Sequence, residues 1–254
     1  MARFASTVAL YEELRPPYPP EFFRAVAQQL ELSRRHALID LGTGPGLLAL
    51  GFAPYVGRIV GVDPEPGMIA AARAAAARAG RDLTLIEGKA EALPAGIGAF
   101  DLVTIGRALH WMEREPTLAV LERLVAPGSA IAICGSSSAS DGRNPWLDTY
   151  NAARNAWAPK AEDPRRGERL HKDLAAFFSG SAFRVADFIK VEGSHEIGVR
   201  DLARRVLTFS TSSPDMLGDR VEAMLDDVEQ RMRPLSRDGV ITEVFVATAQ
   251  VARR

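Results

Sequence analysis

The sequence predicts an α/β chain, a largely parallel sheet with helices against both faces, and three observations carry that reading. Short apolar runs recur without polar alternation, as HALIDL, RIVGVD, LTLIEG, FDLVTI and SAIAIC. Strands of that kind are buried on both sides, the mark of a parallel sheet. Stretches of helical character separate most of them, supplying the crossovers that parallel pairing requires. A glycine-rich turn, LGTGPG, closes the first strand and opens the first of these helices.

The elements follow in order. HALIDL is a strand, PGLLALGFAPY a helix and RIVGVD a strand. EPGMIAAARAAAARAG is rich in alanine, the best helix former, and stops at Gly80, a good C-terminal residue. LTLIEG, FDLVTI and SAIAIC are three further strands, with a helix from about Glu115 to Val125 before the last. After Cys134 the rhythm changes. GSSSASDGRNP is a loop and APKAEDPRRGERLHK a charged, proline-broken surface stretch. AFRVADFIKV is a candidate to return to the sheet, and TEVFVATAQV is a plausible last strand. GDRVEAMLDDVEQRMR sets Val221, Met224, Leu225, Val228 and Met232 on one helical face. The chain reads as one domain over residues 1–254. Residues 1–35 form an N-terminal cover and 36–135 the core. Residues 136–215, approximately, form a helical cap or insertion, and 216–254 return to the sheet.

Composition excludes several classes. The chain has 254 residues, 47% hydrophobic and 25% charged, which is enough to build a core. Its 31 basic and 32 acidic side chains leave a net charge of −1, against a generally basic nucleic-acid surface. Cys134 is the single cysteine, and His36, His110, His171 and His195 are scattered with no HExxH. Neither a disulfide framework nor a zinc site is expected, and no metal of any kind. Glu12 and Glu13 interrupt the first apolar stretch before a secretory core forms. No uncharged stretch is longer than Leu41 to Gly57, which holds five glycines and two prolines. It falls short of the roughly 18 apolar residues of a membrane span. The expectation is a soluble, cytoplasmic protein with no membrane insertion.

Gly42, Gly44 and Gly46 lie directly after a strand and at the mouth of a helix. Glycine there lets the backbone take positive φ and lets a ligand lie against the main chain, although a tight turn of purely structural purpose has the same look. A dinucleotide fingerprint wants glycine or alanine where Leu47 stands, and Pro45 removes an N–H where a pyrophosphate needs donors. These residues disfavour a dinucleotide and suit a nucleoside with an amino-acid tail and no phosphate. Asp63 ends the next strand, 19 residues after Gly44, where a carboxylate accepts from both hydroxyls of a ribose. It also precedes Pro64 and is placed to start a helix; the two roles coexist.

LIDLGTGPG, VGVDPEPGMIAAAR, GKAEALP and FDLVTIGRALHWM, in this order, resemble the class I S-adenosylmethionine-dependent methyltransferases over about residues 36 to 134. YEELRPPYP and ALHWM further resemble their small-molecule branch, the trans-aconitate-type, methyltransferase type 11-like enzymes. The resemblance implies a Rossmann-like, seven-stranded, mostly parallel sheet and a cap that serves the acceptor. It implies S-adenosyl-L-methionine as cofactor, S-adenosyl-L-homocysteine as product and a small-molecule acceptor, with no nucleic-acid partner. Carried over by position, Gly42, Thr43, Gly44 and Gly46 are the loop beneath the methionyl and ribose portions, with Asp40 near the methionyl ammonium. Asp63 is the ribose clamp, followed by Pro64 and Met68. Ala90 and Glu91 lie along the adenine, and Arg107, Tyr11 and Arg15 complete the cofactor set. Tyr11 and Arg15 belong to a segment expected to fold over the cofactor, with Arg15 near the methionyl carboxylate or an acidic acceptor. A proline-rich surface arm is the plainer alternative for that segment. Lys89 departs from the pattern: many relatives have an aspartate there to receive the adenine amino group, and lysine offers no acceptor.

FDLVTI runs into Gly106, Arg107, Ala108, Leu109, His110 and Trp111. Central strand ends open onto the ligand crevice, so this segment is expected beside the reactive methyl. It lacks the Asn/Asp-Pro-Pro-aromatic motif of base-amine methylation and the aspartate of aminopropyl transfer. His110 is the candidate catalytic base, with pocket-wall packing as its alternative. Tyr18, His110 and Trp111 are the candidate acceptor contacts, Trp111 being equally suited to core packing. Arg200, Arg204 and Arg205 fall near one helical side, where solvent exposure is the default and an anion pocket the sharper alternative. The favoured acceptor is a carboxylate or hydroxyl; a phenol, enol or quinone-type carbon comes next. A binding module without turnover, and a nicotinamide oxidoreductase disfavoured by Leu47 and Pro45, are the competing functions.

Overall fold

The computed structural model describes residues 8–158, 173–209 and 211–254. Most of the charged APKAEDPRRGERLHK stretch, including His171, lies outside them. Seven strands, β1 Ala37–Leu41, β2 Arg58–Asp63, β3 Thr84–Glu87, β4 Phe100–Gly106, β5 Val125–Ser138, β6 Arg184–Gly198 and β7 Val240–Arg253, form one sheet. Their order is β3-β2-β1-β4-β5-β7-β6. β1 pairs in parallel with β2 and β4, β2 with β3, and β4 with β5. The expected α/β class with a mostly parallel sheet is what the chain forms. Strand order reverses at β1, which has β2 on one side and β4 on the other. In open sheets the carboxyl ends at such a switch point form the ligand crevice.

The helices are α1 Val8–Leu14, α2 Pro20–Gln29, α3 Leu47–Phe52, α4 Pro66–Arg78, α5 Arg114–Leu124 and α6 Leu147–Trp157. Side-chain alternation along the strands shows how they cover both faces. Leu38, Leu102, Ala130 and Ala132 pack with Phe22, Phe23 and Val26 of α2 and Leu48, Ala49 and Phe52 of α3. Their strand neighbours Ile39, Leu41, Val103, Ile105 and Ile131 pack instead with Leu118, Leu121 and Leu124 of α5 and with Phe177 and Phe178. A sheet apolar on both sides follows directly from runs without alternation.

The chain forms two compact units. Of the described residues, the larger takes 18–135, 173–191 and 247–254; the smaller takes 8–17, 136–158, 192–209 and 211–246. In the smaller unit the helix Val221–Met232 buries Met224, Leu225, Val228 and Met232, with Val221 partly buried, the face its spacing predicts. These side chains pack with Trp146, Tyr150 and Ala153 at the start and middle of α6, a helix the sequence reading passed over. Solvent exposure fails for Arg205. It is 2% exposed and grips Glu243 with Nη1 at 2.8 Å and Nη2 at 2.6 Å. The fully buried Glu243 also accepts from the Ser138 hydroxyl at 2.6 Å and meets His195 Nε2 at 2.7 Å. Arg200, by contrast, lies at the surface against Glu222, Asp226 and Glu229. Among the described residues no helix is long and apolar enough to cross a membrane, and no cluster of His, Cys, Asp and Glu suits a metal ion.

Candidate functional site

The loop after β1 is shaped by its glycines. Gly42, Gly44 and Gly46 all take positive φ, at 71°, 55° and 91°, a region that costs other residues about 1–2 kcal/mol. Gly42 has a second reason: a Cβ there would lie 2.5 Å from the Cβ of Ala108. The loop is tied to β2 by the N–H groups of Gly42 and Thr43, which both donate to the carbonyl of Val62 at 2.8 and 2.9 Å. Gly46 then caps α3, whose Leu50 N–H donates to the Gly46 carbonyl at 2.8 Å.

Two carboxylates sit at the tips of the paired strands. Asp63, buried at the end of β2, accepts from the Gly44 N–H through Oδ2 at 2.8 Å and from the Glu65 N–H through Oδ1 at 3.0 Å. It thus fixes the glycine loop on one side and the turn before α4 on the other; the residue at the N-cap of α4 is Glu65, and no side chain caps that helix. Burial raises its pKa against the pull of those two N–H groups. Asp40 is 1% exposed and lies one register step from the end of β1, opposite Thr104 of β4. The Thr43 hydroxyl donates to its Oδ2 at 2.8 Å and the Thr104 hydroxyl to its Oδ1 at 2.7 Å. Burial dominates and pushes its carboxyl up to about 6, with the negative charge of Asp63 adding to the rise. Thr104 was not foreseen, although a lone hydroxyl inside FDLVTI was the signal.

The neighbouring candidates gather along the same strand ends. Met68, buried in α4, puts its sulfur 3.9 Å from where a Gly44 Cβ would be; Pro64 is exposed. Ala90 is buried at the start of a short turn of helix after β3, and Glu91 accepts from the Glu113 N–H at 3.2 Å. Lys89 is exposed. At the tip of β4, Arg107 takes φ of 57° while its N–H donates to the Cys134 carbonyl at 3.2 Å. Its guanidinium lies 5.0 Å from the ring centre of Tyr18, which brings that tyrosine to the end of β4. His110 and Trp111 follow in a short helical turn with ring centres 5.0 Å apart, Trp111 40% exposed. All of these belong to the larger unit. Tyr11 and Arg15 belong to the smaller one, where Arg15 binds Thr208 through Nε at 2.7 Å and Nη2 at 2.9 Å.

Comparison with known proteins agrees with this geometry. Residues 38–128 match the family described as "Methyltransferase domain". An uncharacterized methyltransferase of Mycobacterium tuberculosis is 32% identical over 130 residues, 51% of this chain and 50% of its own length. The demethylmenaquinone methyltransferase of Thermus thermophilus is 39% identical over 114 residues, 43% of this chain and 51% of its own length. The chain therefore spans about half the length of these curated relatives. Among solved structures, a SAM-dependent methyltransferase from Geobacter sulfurreducens, in complex with S-adenosyl-L-homocysteine, superposes with a TM-score of 0.56. That match has 20% identity and covers 98% of this chain and 97% of that one. The strand order, the glycine loop joined to the acidic tip of β2, and the matched residues agree: over residues 38–128 the chain is similar to the methyltransferase-domain family, on a fold shared with SAM-dependent methyltransferases.

Proposed function

We propose that the chain transfers a methyl group from S-adenosyl-L-methionine to a small-molecule acceptor, a carboxylate or hydroxyl, by in-line displacement. One observation carries the reading: the positive-φ loop at the tip of β1 is bonded through Gly44 to the carboxylate at the tip of β2. The donor set suits such a cofactor. Asp40 and Asp63 offer negative charge for an ammonium and acceptors for ribose hydroxyls, while Pro45 withholds an N–H from any pyrophosphate. When bound, the cofactor supplies an electrophilic methyl on a sulfonium.

The chain's own part is positioning. Asp63 holds the ribose side, Gly42, Thr43, Gly44 and Gly46 support the methionyl tail, and Asp40 balances the ammonium. Met68, Pro64, Ala90 and Glu91 line the nucleoside side. Arg107, Tyr18, His110 and Trp111, at the β4 tip, serve the acceptor and the reactive end. Holding two reactants in attack geometry supplies several kcal/mol of rate enhancement, up to about 7–11 in the best intramolecular cases. A carboxylate acceptor is ionised at neutral pH and needs no base; a hydroxyl needs one, and His110 is then the group placed to take the proton. A quinone-type carbon is the second reading, favoured by the likeness to the Thermus enzyme.

The test is calorimetric titration with S-adenosyl-L-homocysteine and with NADH, followed by a labelled-methyl screen of metabolites read by mass spectrometry. The expected result is binding of the homocysteine compound that Asp63→Ala weakens at least tenfold, with transfer to at least one acceptor. Preferential NADH binding overturns the reading, and tight binding with no transfer to any acceptor leaves a binding module.

A further inference from the structure

A second cluster lies wholly within the smaller unit. Tyr150 of α6 is buried, and its hydroxyl has no hydrogen-bond partner among the described residues. A buried donor left in that state is unfavourable, and such groups usually have a ligand or water to satisfy them. Arg154, four residues along the same helix, sets its guanidinium carbon 4.5 Å from the centre of the Phe209 ring, and Arg15 sets its own 3.9 Å from the same centre. Two cations thus share one aromatic ring. The Thr208 hydroxyl and carbonyl, which accept from Arg15, hold that side chain in place.

The charges bearing on the Tyr150 hydroxyl are those of Arg205, Arg154 and Arg15, followed by Glu243. Glu243 is already committed to Arg205, His195 and Ser138. Burial pushes the phenol up to about 12 despite the cations, so it keeps its proton at neutral pH and acts as a donor. The Nε of Arg205 is a further buried donor with no partner among the described residues. A buried donor on the same helix as the Arg154 guanidinium, four residues away, is the complement of an anion.

We propose that the smaller unit binds a small organic carboxylate, which the Tyr150 hydroxyl donates to and whose charge Arg154 balances beside the Phe209 ring. A phosphate suits the place less well. Phosphate sites draw on clustered backbone N–H groups, and the N–H of Tyr150 is committed within the helix to the Trp146 carbonyl at 3.0 Å. The inference is independent of the methyl-donor reading, because neither Tyr150 nor Arg154 has a part in that reading.

The experiment uses the full chain, with succinate, citrate and benzoate as probes and phosphate and sulfate beside them at constant ionic strength. Thermal shift and calorimetry are read for wild type, Tyr150→Phe and Arg154→Gln. The expected result is saturable binding of at least one carboxylate, weakened at least tenfold in both variants. Without a probe, Tyr150→Phe should unfold no earlier than wild type, since it loses a hydroxyl that satisfies nothing. Five outcomes overturn the proposal: no carboxylate binds, wild type and Tyr150→Phe bind alike, or phosphate and sulfate bind as tightly; Tyr150→Phe alone is destabilised; or S-adenosyl-L-homocysteine displaces the probe, which assigns the anion to the donor's own tail. Titration of the same samples with S-adenosyl-L-homocysteine tests the donor reading separately, so either failure is recognised by itself.

Discussion

Asp40→Asn isolates the electrostatics of the site in one comparison. The Asp40 carboxyl moves from an ordinary 3.8 to about 6 on folding, chiefly because burial disfavours its charge. The folded state therefore holds this proton more tightly than the unfolded state. The associated stability is complete below about pH 4 and is lost as pH rises through about 6. Two pKa units at about 1.36 kcal/mol each amount to about 3 kcal/mol. The group is almost wholly buried, so solvent screening removes little of this. Asparagine does not titrate, and all other ionisable groups are common to both proteins. The stability difference between Asp40→Asn and wild type should thus shift by about 3 kcal/mol in favour of the variant between pH 4 and pH 7.5. Whatever fixed gain or loss the amide brings beside Thr43 and Thr104 is independent of pH and drops out. Urea unfolding of both proteins at several pH values gives the curve. A difference that changes by less than about 1 kcal/mol over that range would refute the reasoning, because the carboxylate would then be as well solvated in the fold as outside it. On the proposed donor reading, affinity for S-adenosyl-L-homocysteine should rise with pH up to about 6 and then level off, and Asp40→Asn should abolish the rise.

Other variants separate structure from ligand binding. Asp63→Ala leaves the Gly44 and Glu65 N–H groups without their acceptor, so urea unfolding should show a loss of about 1–3 kcal/mol; Asp63→Asn should fall between it and wild type. Gly42→Ala combines about 1–2 kcal/mol of backbone strain with about 1–3 of overpacking against Ala108, and adding Ala108→Gly should recover the second part only, as read by thermal denaturation. Glu243→Ala strands the buried Arg205 and should cost about 3–5 kcal/mol. Since the hydrogen bonds of His195 and Arg205 overcome burial and hold Glu243 at about 2, below its ordinary 4.5, wild type should lose stability as pH falls from 4.5 toward 2, and Glu243→Gln should lose that dependence. His110→Ala should keep most of kcat with a carboxylate acceptor, whereas a loss beyond about a hundredfold in steady-state assays at pH 7 would indicate an acceptor that must be deprotonated.

The larger unit was legible because its signals are local. Apolar runs set the strands, and the doubly buried sheet follows from their lack of alternation. Gly42, Gly44 and Gly46 announce a backbone conformation that few other residues adopt, and an acidic strand end at the right spacing supplies Asp63. The smaller unit was much less legible because its organising contacts are distant in sequence. Arg205 reaches Glu243 across 38 residues, and Asn144 binds the Val244 backbone across 100. Three arginines in RDLARRVLTF look alike along the chain. Only the fold separates Arg205, turned inward to a buried carboxylate, from Arg200 among Glu222, Asp226 and Glu229 at the surface. Tyr150 and Phe209 had the same difficulty: an aromatic on a helix or in a loop gives no sign that cations will gather around it.

Asp40 and Asp63 stand at adjacent strand tips, yet they are held by donors of different kinds, and the difference bears on what each is suited to do. The donors on Asp63 are backbone N–H groups, which cannot rotate and can only donate. They favour the ionised form and lock the carboxylate plane, a fixed acceptor against which a rigid sugar can be registered. The side-chain donors on Asp40 are the hydroxyls of Thr43 and Thr104, which rotate and both donate and accept, so they satisfy the carboxyl with or without its proton, beside one backbone hydrogen bond from Ala49. With burial pushing that group to about 6, a modest change in local charge alters its ionisation. An arriving ammonium would supply that change and complete the ionisation, so the stability lost by burying Asp40 at neutral pH is recovered when a cation occupies the site. On the proposed donor reading, the strand tips thus combine a rigid carboxylate for shape with a responsive one for charge, a pairing suited to a phosphate-free, cationic nucleoside.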